Sequence, residues 1–149
     1  MRYALRRRLA LASTIIPLIL TVTGCSDSPM EGDDEPEVAS MRLTVGSQII
    51  TVADNGAVTG GPITFTGTVN VSAEFLRADA SPDPLVTDAA FQLNAEPVDG
   101  TIITFTRSAA FTGTLTSGAP GSTQIAFALF HKAEMHEDFG PFNVPVTIP

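Results

Sequence analysis

Apolar and polar positions alternate with a period of two over most of the chain after residue 41. The clearest runs place their apolar side chains on a single side: Val69, Val71, Ala73 and Phe75 in one run, and Ile125, Phe127 and Leu129 in another. Because successive side chains of a strand point to opposite faces, this period predicts half-buried β-strands and not helices.

Turn residues separate these runs at short intervals. Asp54-Asn55-Gly56 supplies residues that tolerate the positive φ of a tight hairpin, and Asp99-Gly100 marks a second turn. The stretch 78–88 contains two X-Pro units and predicts a loop, since proline does not fit a central strand. Residues 41–149 therefore contain about seven or eight short strands, which predicts an all-β antiparallel sandwich, with a small barrel as the alternative.

One segment of this region resembles a known class of domain. Residues 115–127, with the core Ala-Pro-Gly-Ser-Thr-Gln-Ile-Ala-Phe, resemble the penultimate-strand region of bacterial immunoglobulin-like domains. The resemblance implies a single immunoglobulin-like or fibronectin-like sandwich of about seven strands. The hallmarks of antibody-type domains are missing, because the chain has no Trp, a single Cys, and a single Tyr at position 3.

Residues 1–24 have the layout of an export signal. Their start is rich in Arg, and residues 9–22 are mostly apolar but are interrupted by Pro17. This apolar run is too short and too broken for a conventional membrane-spanning helix. We therefore predict a signal peptide over residues 1–24.

The signal ends in Val22-Thr23-Gly24-Cys25, which resembles the lipobox of bacterial lipoproteins. That resemblance implies cleavage before Cys25, a diacylglycerol in thioether linkage to its sulfur, and commonly a third acyl chain on its amine. More than one acyl chain gives stable membrane anchoring. Ser26 in place of Asp after the Cys implies sorting to the outer membrane of a diderm bacterium. The alternative is an ordinary secretory signal that happens to contain a Cys.

Residues 25–40 are acidic, contain two prolines, and have too few apolar side chains to pack, so we predict a flexible tether. Removing residues 1–24 takes away four of the eight basic residues and none of the sixteen acidic ones, which leaves a formal charge of about −12. This charge repels nucleic acid and anionic membrane surfaces. We expect the membrane to be contacted through the N-terminal lipid, and the partner to be an envelope protein or a cationic ligand.

Both histidines of the chain lie in residues 131–138, together with three carboxylates. The candidate metal ligands are His131, Glu134, His136, Glu137 and Asp138. Imidazole with carboxylate suits a divalent metal such as Zn²⁺ or Mn²⁺. Strand parity places His131 on the opposite side from Glu134 and His136, so both imidazoles reach one ion only if the chain bends near residues 133–135. The alternative is a solvated acidic turn in which His131 is a partly buried strand-end residue.

The sequence contains no Gly-x-Ser-x-Gly, phosphate-binding or dinucleotide-binding motif, and a single Cys rules out an internal disulfide. We therefore predict a protein that is not an enzyme and has no catalytic residue. Two functions stay open. One is a lipid-anchored module of the bacterial cell envelope that binds or supports another surface component. The other is an envelope protein that captures a divalent metal with residues 131–138.

Overall fold

The computed structural model describes residues 35–149. The predicted signal peptide 1–24, the lipobox with Cys25, and most of the predicted tether lie outside the described residues. All regular structure within 35–149 is β-strand, in ten strands: β1 (Ser40–Val45), β2 (Gln48–Ala53), β3 (Val58–Thr59), β4 (Ile63–Thr64), β5 (Thr68–Leu76), β6 (Phe91–Pro97), β7 (Ile103–Ala109), β8 (Thr112–Ser117), β9 (Gly121–His131) and β10 (His136–Ile148). The described part of the chain includes no helix long and apolar enough to cross a membrane.

The strands form two sheets. The larger sheet has the order β3-β2-β1-β5-β8-β7, and the smaller has the order β4-β10-β9-β6. All pairs are antiparallel except β4 with β10, which run parallel. The prediction of an all-β sandwich is confirmed. The structure has ten strands in the described residues, more than the seven or eight predicted, and two of them, β3 and β4, have only two residues each.

The core combines side chains from both sheets in one cluster. Leu43 of β1 and Ile50 of β2 come from the larger sheet, while Leu93 of β6 and Phe127 and Leu129 of β9 come from the smaller one. All five are fully buried. Burial of side chains of this size stabilises a fold by about 1.5–3 kcal/mol each, so the two inward faces hold the sheets together.

The predicted alternation agrees with the observed burial. In β5, Val71, Ala73 and Phe75 are buried, whereas Val69 near the start of the strand is half-buried. The predicted turn after β2 is also present. Gly56 has a φ of +81° there, and the Ala57 N–H donates to Asn55 Oδ1 over 3.0 Å.

Ordered contacts begin before the first strand. The Ala39 N–H donates to the Leu76 carbonyl over 2.8 Å, and the Glu37 N–H donates to Asp83 Oδ2 over 2.7 Å. Asp83 belongs to the stretch between β5 and β6, which includes the predicted loop 78–88. The last residues of the predicted tether therefore contribute hydrogen bonds to the sandwich.

Candidate functional site

Residues 132–135 form the turn that joins β9 to β10. His131 ends β9, His136 begins β10, and the two are direct partners in the antiparallel ladder. The Met135 N–H donates to the His131 carbonyl over 2.9 Å, and Met135 itself has a left-handed φ of +61°. The chain therefore bends near residues 133–135, as the binding of both imidazoles to one ion requires.

This turn brings the two imidazoles together. Directly opposed residues of an antiparallel pair project from the same face of the sheet. The ring centroids of His131 and His136 are 5.8 Å apart, with the planes at 84° to each other. The parity argument had placed them on opposite sides, because it carried the alternation of β9 through the turn. Because the chain reverses direction in the turn, the alternation of β10 does not continue that of β9.

Glu134 lies between the two histidines. Its Oε2 is 2.7 Å from His136 Nε2, and its Oε1 is 3.6 Å from His131 Nδ1. One potential ligand atom from each of these three residues lies within 4.8 Å of the others. Glu134 and His136 are half exposed, with about 50% of each side chain accessible, whereas His131 is 19% exposed. The cluster therefore has a buried side and an open side.

Asp138 closes the buried side of the cluster. Its side chain is only 10% exposed. Its Oδ1 is 2.8 Å from His136 Nδ1, and its Oδ2 is 4.0 Å from His131 Nδ1. The contact to His136 lacks hydrogen-bond geometry, and Oδ1 is buried without a hydrogen-bond donor.

Four of the five predicted ligands thus come together, and Glu137 does not join them. Among the described residues, the group whose ligand atoms converge consists of His131, Glu134 and His136. Asp138 adjoins this group through its contacts with both histidines, and Glu137 has no such contact. Glu137 is exposed and pairs with Phe130 across the ladder. His136 and Glu137 are consecutive in the regular part of the ladder and therefore face opposite sides of β10. The ladder is irregular between Glu137 and Phe139, and there Asp138 contacts both histidines.

Residues that are distant in sequence support the cluster. Phe91 of β6 pairs with His131 in the smaller sheet, and their rings stack with centroids 4.6 Å apart at 25°. The turn is held to the segment before β6 because Lys132 donates to two carbonyls there, from its Nζ to Asp88 and from its N–H to Ala90. Nothing in the sequence pattern links these positions to the histidines, because only the sheet pairing makes them neighbours.

The open side of the cluster faces a pocket of about 260 Å³. Glu35 and Pro36, just before the first strand, contribute to its lining, as do Leu85 and Ala90 from the stretch between β5 and β6. An ion or a small polar ligand has room to reach the imidazoles from solvent through this pocket.

The charges of the cluster reinforce one another. The hydrogen bond with Glu134 raises the pKa of His136, and the nearby Asp138 carboxylate acts in the same direction. The same hydrogen bond with His136 lowers the pKa of Glu134. Without another cation at this position, His136 thus holds its proton at a higher pH than an isolated histidine does.

Comparisons with known proteins identify no family. No protein-family model matches the chain, and no curated protein matches it either. Among solved structures, the chain is similar to the crystal structure of domains 4 and 5 of the S-layer protein SbsC, with 16% sequence identity and a TM-score of 0.37. The match covers 71% of this chain and 53% of that chain, so it spans about half the length of that structure.

Proposed function

We propose that this protein is a lipid-anchored lipoprotein of a bacterial cell envelope, in which the β-sandwich is a non-enzymatic binding or structural module. One observation carries the proposal: a signal-like segment ends in the lipobox-like Val22-Thr23-Gly24-Cys25, and a β-sandwich begins shortly afterwards at Ser40. An acylated Cys25 followed by Ser26 favours the outer membrane as the anchoring site.

The distance between anchor and domain is limited. The contacts of the sandwich reach back to Glu37, so residues 25–37 span the gap between lipid and folded domain. A chain of this length extends to about 40 Å at most. The module therefore works close to the membrane surface to which its lipid is attached.

The charge of the sandwich favours a cationic partner. Residues 35–149 contain twelve acidic and four basic side chains. Each basic side chain contacts an acceptor within the domain: Arg42 with Glu74, Arg77 with Asp83, Arg107 with β6, and Lys132 with the Asp88 carbonyl. The surface left for a partner is predominantly acidic, which suits a basic face of another envelope component.

Lipid labelling in a diderm bacterium tests the proposal. The wild-type chain should incorporate a labelled fatty acid and sediment with the outer membrane, whereas Cys25→Ser should incorporate none and accumulate as an uncleaved precursor. Ser26→Ala is the matched control, because it changes the neighbouring residue and keeps the acylated thiol. Equal labelling of wild type and Cys25→Ser would overturn the proposal.

A further inference from the structure

We infer that the β9–β10 turn is a binding site for a divalent transition-metal ion of the zinc class, with His131, Glu134 and His136 as its ligands and Asp138 as the carboxylate that supports His136. This site is independent of lipid anchoring, since all four residues lie in the sandwich. The inference depends on the spacing of the donor atoms, on a buried carboxylate oxygen without a donor, and on the support of the cluster by a second strand.

The donor atoms are spaced as ligands. Tetrahedral Zn²⁺ with bonds of 2.0–2.1 Å places its ligand atoms about 3.3 Å apart. His131 Nδ1 lies 3.6 Å from Glu134 Oε1, too far for a hydrogen bond but close to that spacing. One ring nitrogen of His136 lies within 4.8 Å of the ligand atoms of both residues. Small side-chain rotations would therefore bring these atoms around one ion.

Asp138 gives a second, independent indication. Its side chain is nine-tenths buried, and its Oδ1 has no hydrogen-bond donor although it points at His136. A buried carboxylate oxygen without a partner is strongly unfavourable. Glu134 faces His136 Nε2, whereas this oxygen faces Nδ1. A metal bound at Nε2 would leave the Nδ1–H as the donor that Oδ1 lacks, which is the usual support of a metal-bound imidazole.

The surrounding structure orients the ligands before a metal binds. The stacked Phe91 ring fixes the plane of His131, and the hydrogen bonds of Lys132 hold the turn against the segment before β6. A site whose ligands are already oriented loses less conformational entropy on binding. The half-exposed Glu134 and His136 leave the side next to the pocket open, so an ion can enter from solvent.

The donor set favours one class of ion. Two imidazoles with one carboxylate suit Zn²⁺ and its neighbours in the first transition row, whereas Ca²⁺ and Mg²⁺ prefer sites made entirely of oxygen. To bind the ion, His136 must exchange the proton that it shares with one carboxylate for the metal.

Zinc titration of the purified full chain, kept soluble in detergent, tests this inference. We expect Zn²⁺ to bind with a dissociation constant below about 100 μM, which corresponds to about 5.5 kcal/mol. His136→Gln removes a ligand and Asp138→Asn removes the carboxylate charge that supports it, so each should weaken binding at least about tenfold. A large excess of Mg²⁺ should not displace the Zn²⁺.

Glu137→Gln is the matched control, because it removes an adjacent carboxylate on the other face of β10 and should change the affinity less than about twofold. Circular dichroism of each variant confirms that it remains all-β. The His131 and His136 ring resonances of the wild type should shift during the titration, which reports on the site without any substitution. Wild-type affinity weaker than about 100 μM, unshifted ring resonances, or equal affinities of His136→Gln and Glu137→Gln would overturn the inference.

Discussion

The Glu37 N–H donates a hydrogen bond of 2.7 Å to the buried carboxylate of Asp83, and so joins the start of the domain to the stretch between β5 and β6. Asp83 is the single fully buried charged residue among the described positions. Its other oxygen, Oδ1, accepts from the Leu85 N–H over 2.9 Å, and the Arg77 guanidinium nitrogen Nε lies 3.3 Å from Oδ2. These contacts explain how a carboxylate is accommodated beside the core.

Asp83→Asn should lower the free energy of unfolding by about 1–3 kcal/mol, because the amide removes the charge and leaves one buried N–H without its acceptor. Urea denaturation measures the change. Asp79→Asn is the control, because exposed Asp79 accepts comparable hydrogen bonds from Ser81 and lies in the same stretch of chain. Equal losses of unfolding free energy in both variants would show that the burial of Asp83 does not increase the cost of the substitution.

Acid should destabilise the protein partly through Asp83. Burial acts to raise the pKa of Asp83, but the amide hydrogen bonds from Leu85 and Glu37 and the Arg77 charge outweigh it, so the pKa lies below its usual value. As the pH falls, Asp83 of the unfolded chain is therefore protonated first, near pH 3.9. The stability that the Asp83 carboxylate contributes is then lost as the pH falls further, through the lowered pKa of the folded state. Urea midpoints measured from pH 7 to pH 3 should fall less steeply for Asp83→Asn than for wild type, and parallel curves would contradict this.

Gly140→Ala should destabilise the protein more than Gly67→Ala. Both glycines have a left-handed φ, +89° and +73° respectively, so each substitution carries a backbone penalty of about 1–2 kcal/mol. A Cβ on Gly140 would lie 2.6 Å from the Phe127 carbonyl oxygen, whereas a Cβ on Gly67 would have no atom within 4 Å. The clash should add about 1–3 kcal/mol. Thermal unfolding of the two variants measures the difference in stability. Similar losses of stability would mean that the β9–β10 ladder can shift at Gly140 to accommodate a Cβ.

Arg107→Lys should lower the free energy of unfolding by about 1–2 kcal/mol. The Arg107 guanidinium on β7 reaches across to the other sheet, where it donates to the Leu93 carbonyl, Gln92 Oε1 and Asn94 Oδ1 over 3.0, 3.1 and 2.8 Å. The single ammonium group of a lysine cannot donate to all three of these acceptors in the same arrangement. Arg42→Lys, in an exposed pair with Glu74, should lose less than about 1 kcal/mol, and chemical denaturation of both variants makes the comparison.

Zinc affinity should decrease as the pH is lowered from 7.5 to 5.5. Metal and proton compete for His136, and the Glu134 hydrogen bond raises the pKa of that histidine, so competition sets in at a higher pH than for free imidazole. His131, Glu134, Asp138 and Glu35 are the other ionisable groups around the pocket. Titrations at the two pH values should show a steeper loss for wild type than for His136→Gln, and equal affinity at both pH values would exclude imidazole ligation.

Local chemistry alone was enough to predict much of the domain. The alternation that places Val71, Ala73 and Phe75 on one side reflects strand geometry, which is a property of neighbouring residues. The turn at Asn55-Gly56 likewise depends on which residues tolerate a positive φ. The candidate ligands were recognisable by type, because imidazoles and carboxylates concentrated in residues 131–138 are a local feature of the sequence.

Tertiary structure decided which of these residues act together. Ladder register placed His131 opposite His136 and Glu137 on the other face, and the irregular ladder between Glu137 and Phe139 left Asp138 in contact with both histidines. Pairing between β6 and β9 brought Phe91 onto His131, and chain packing buried Asp83 beside Glu37. Each of these relationships joins segments through hydrogen bonds across sheets or loops. The sequence determined which strands could form and which side chains could bind a metal. Long-range pairing determined which of them became neighbours, because the pattern of one segment does not specify the strand with which it pairs.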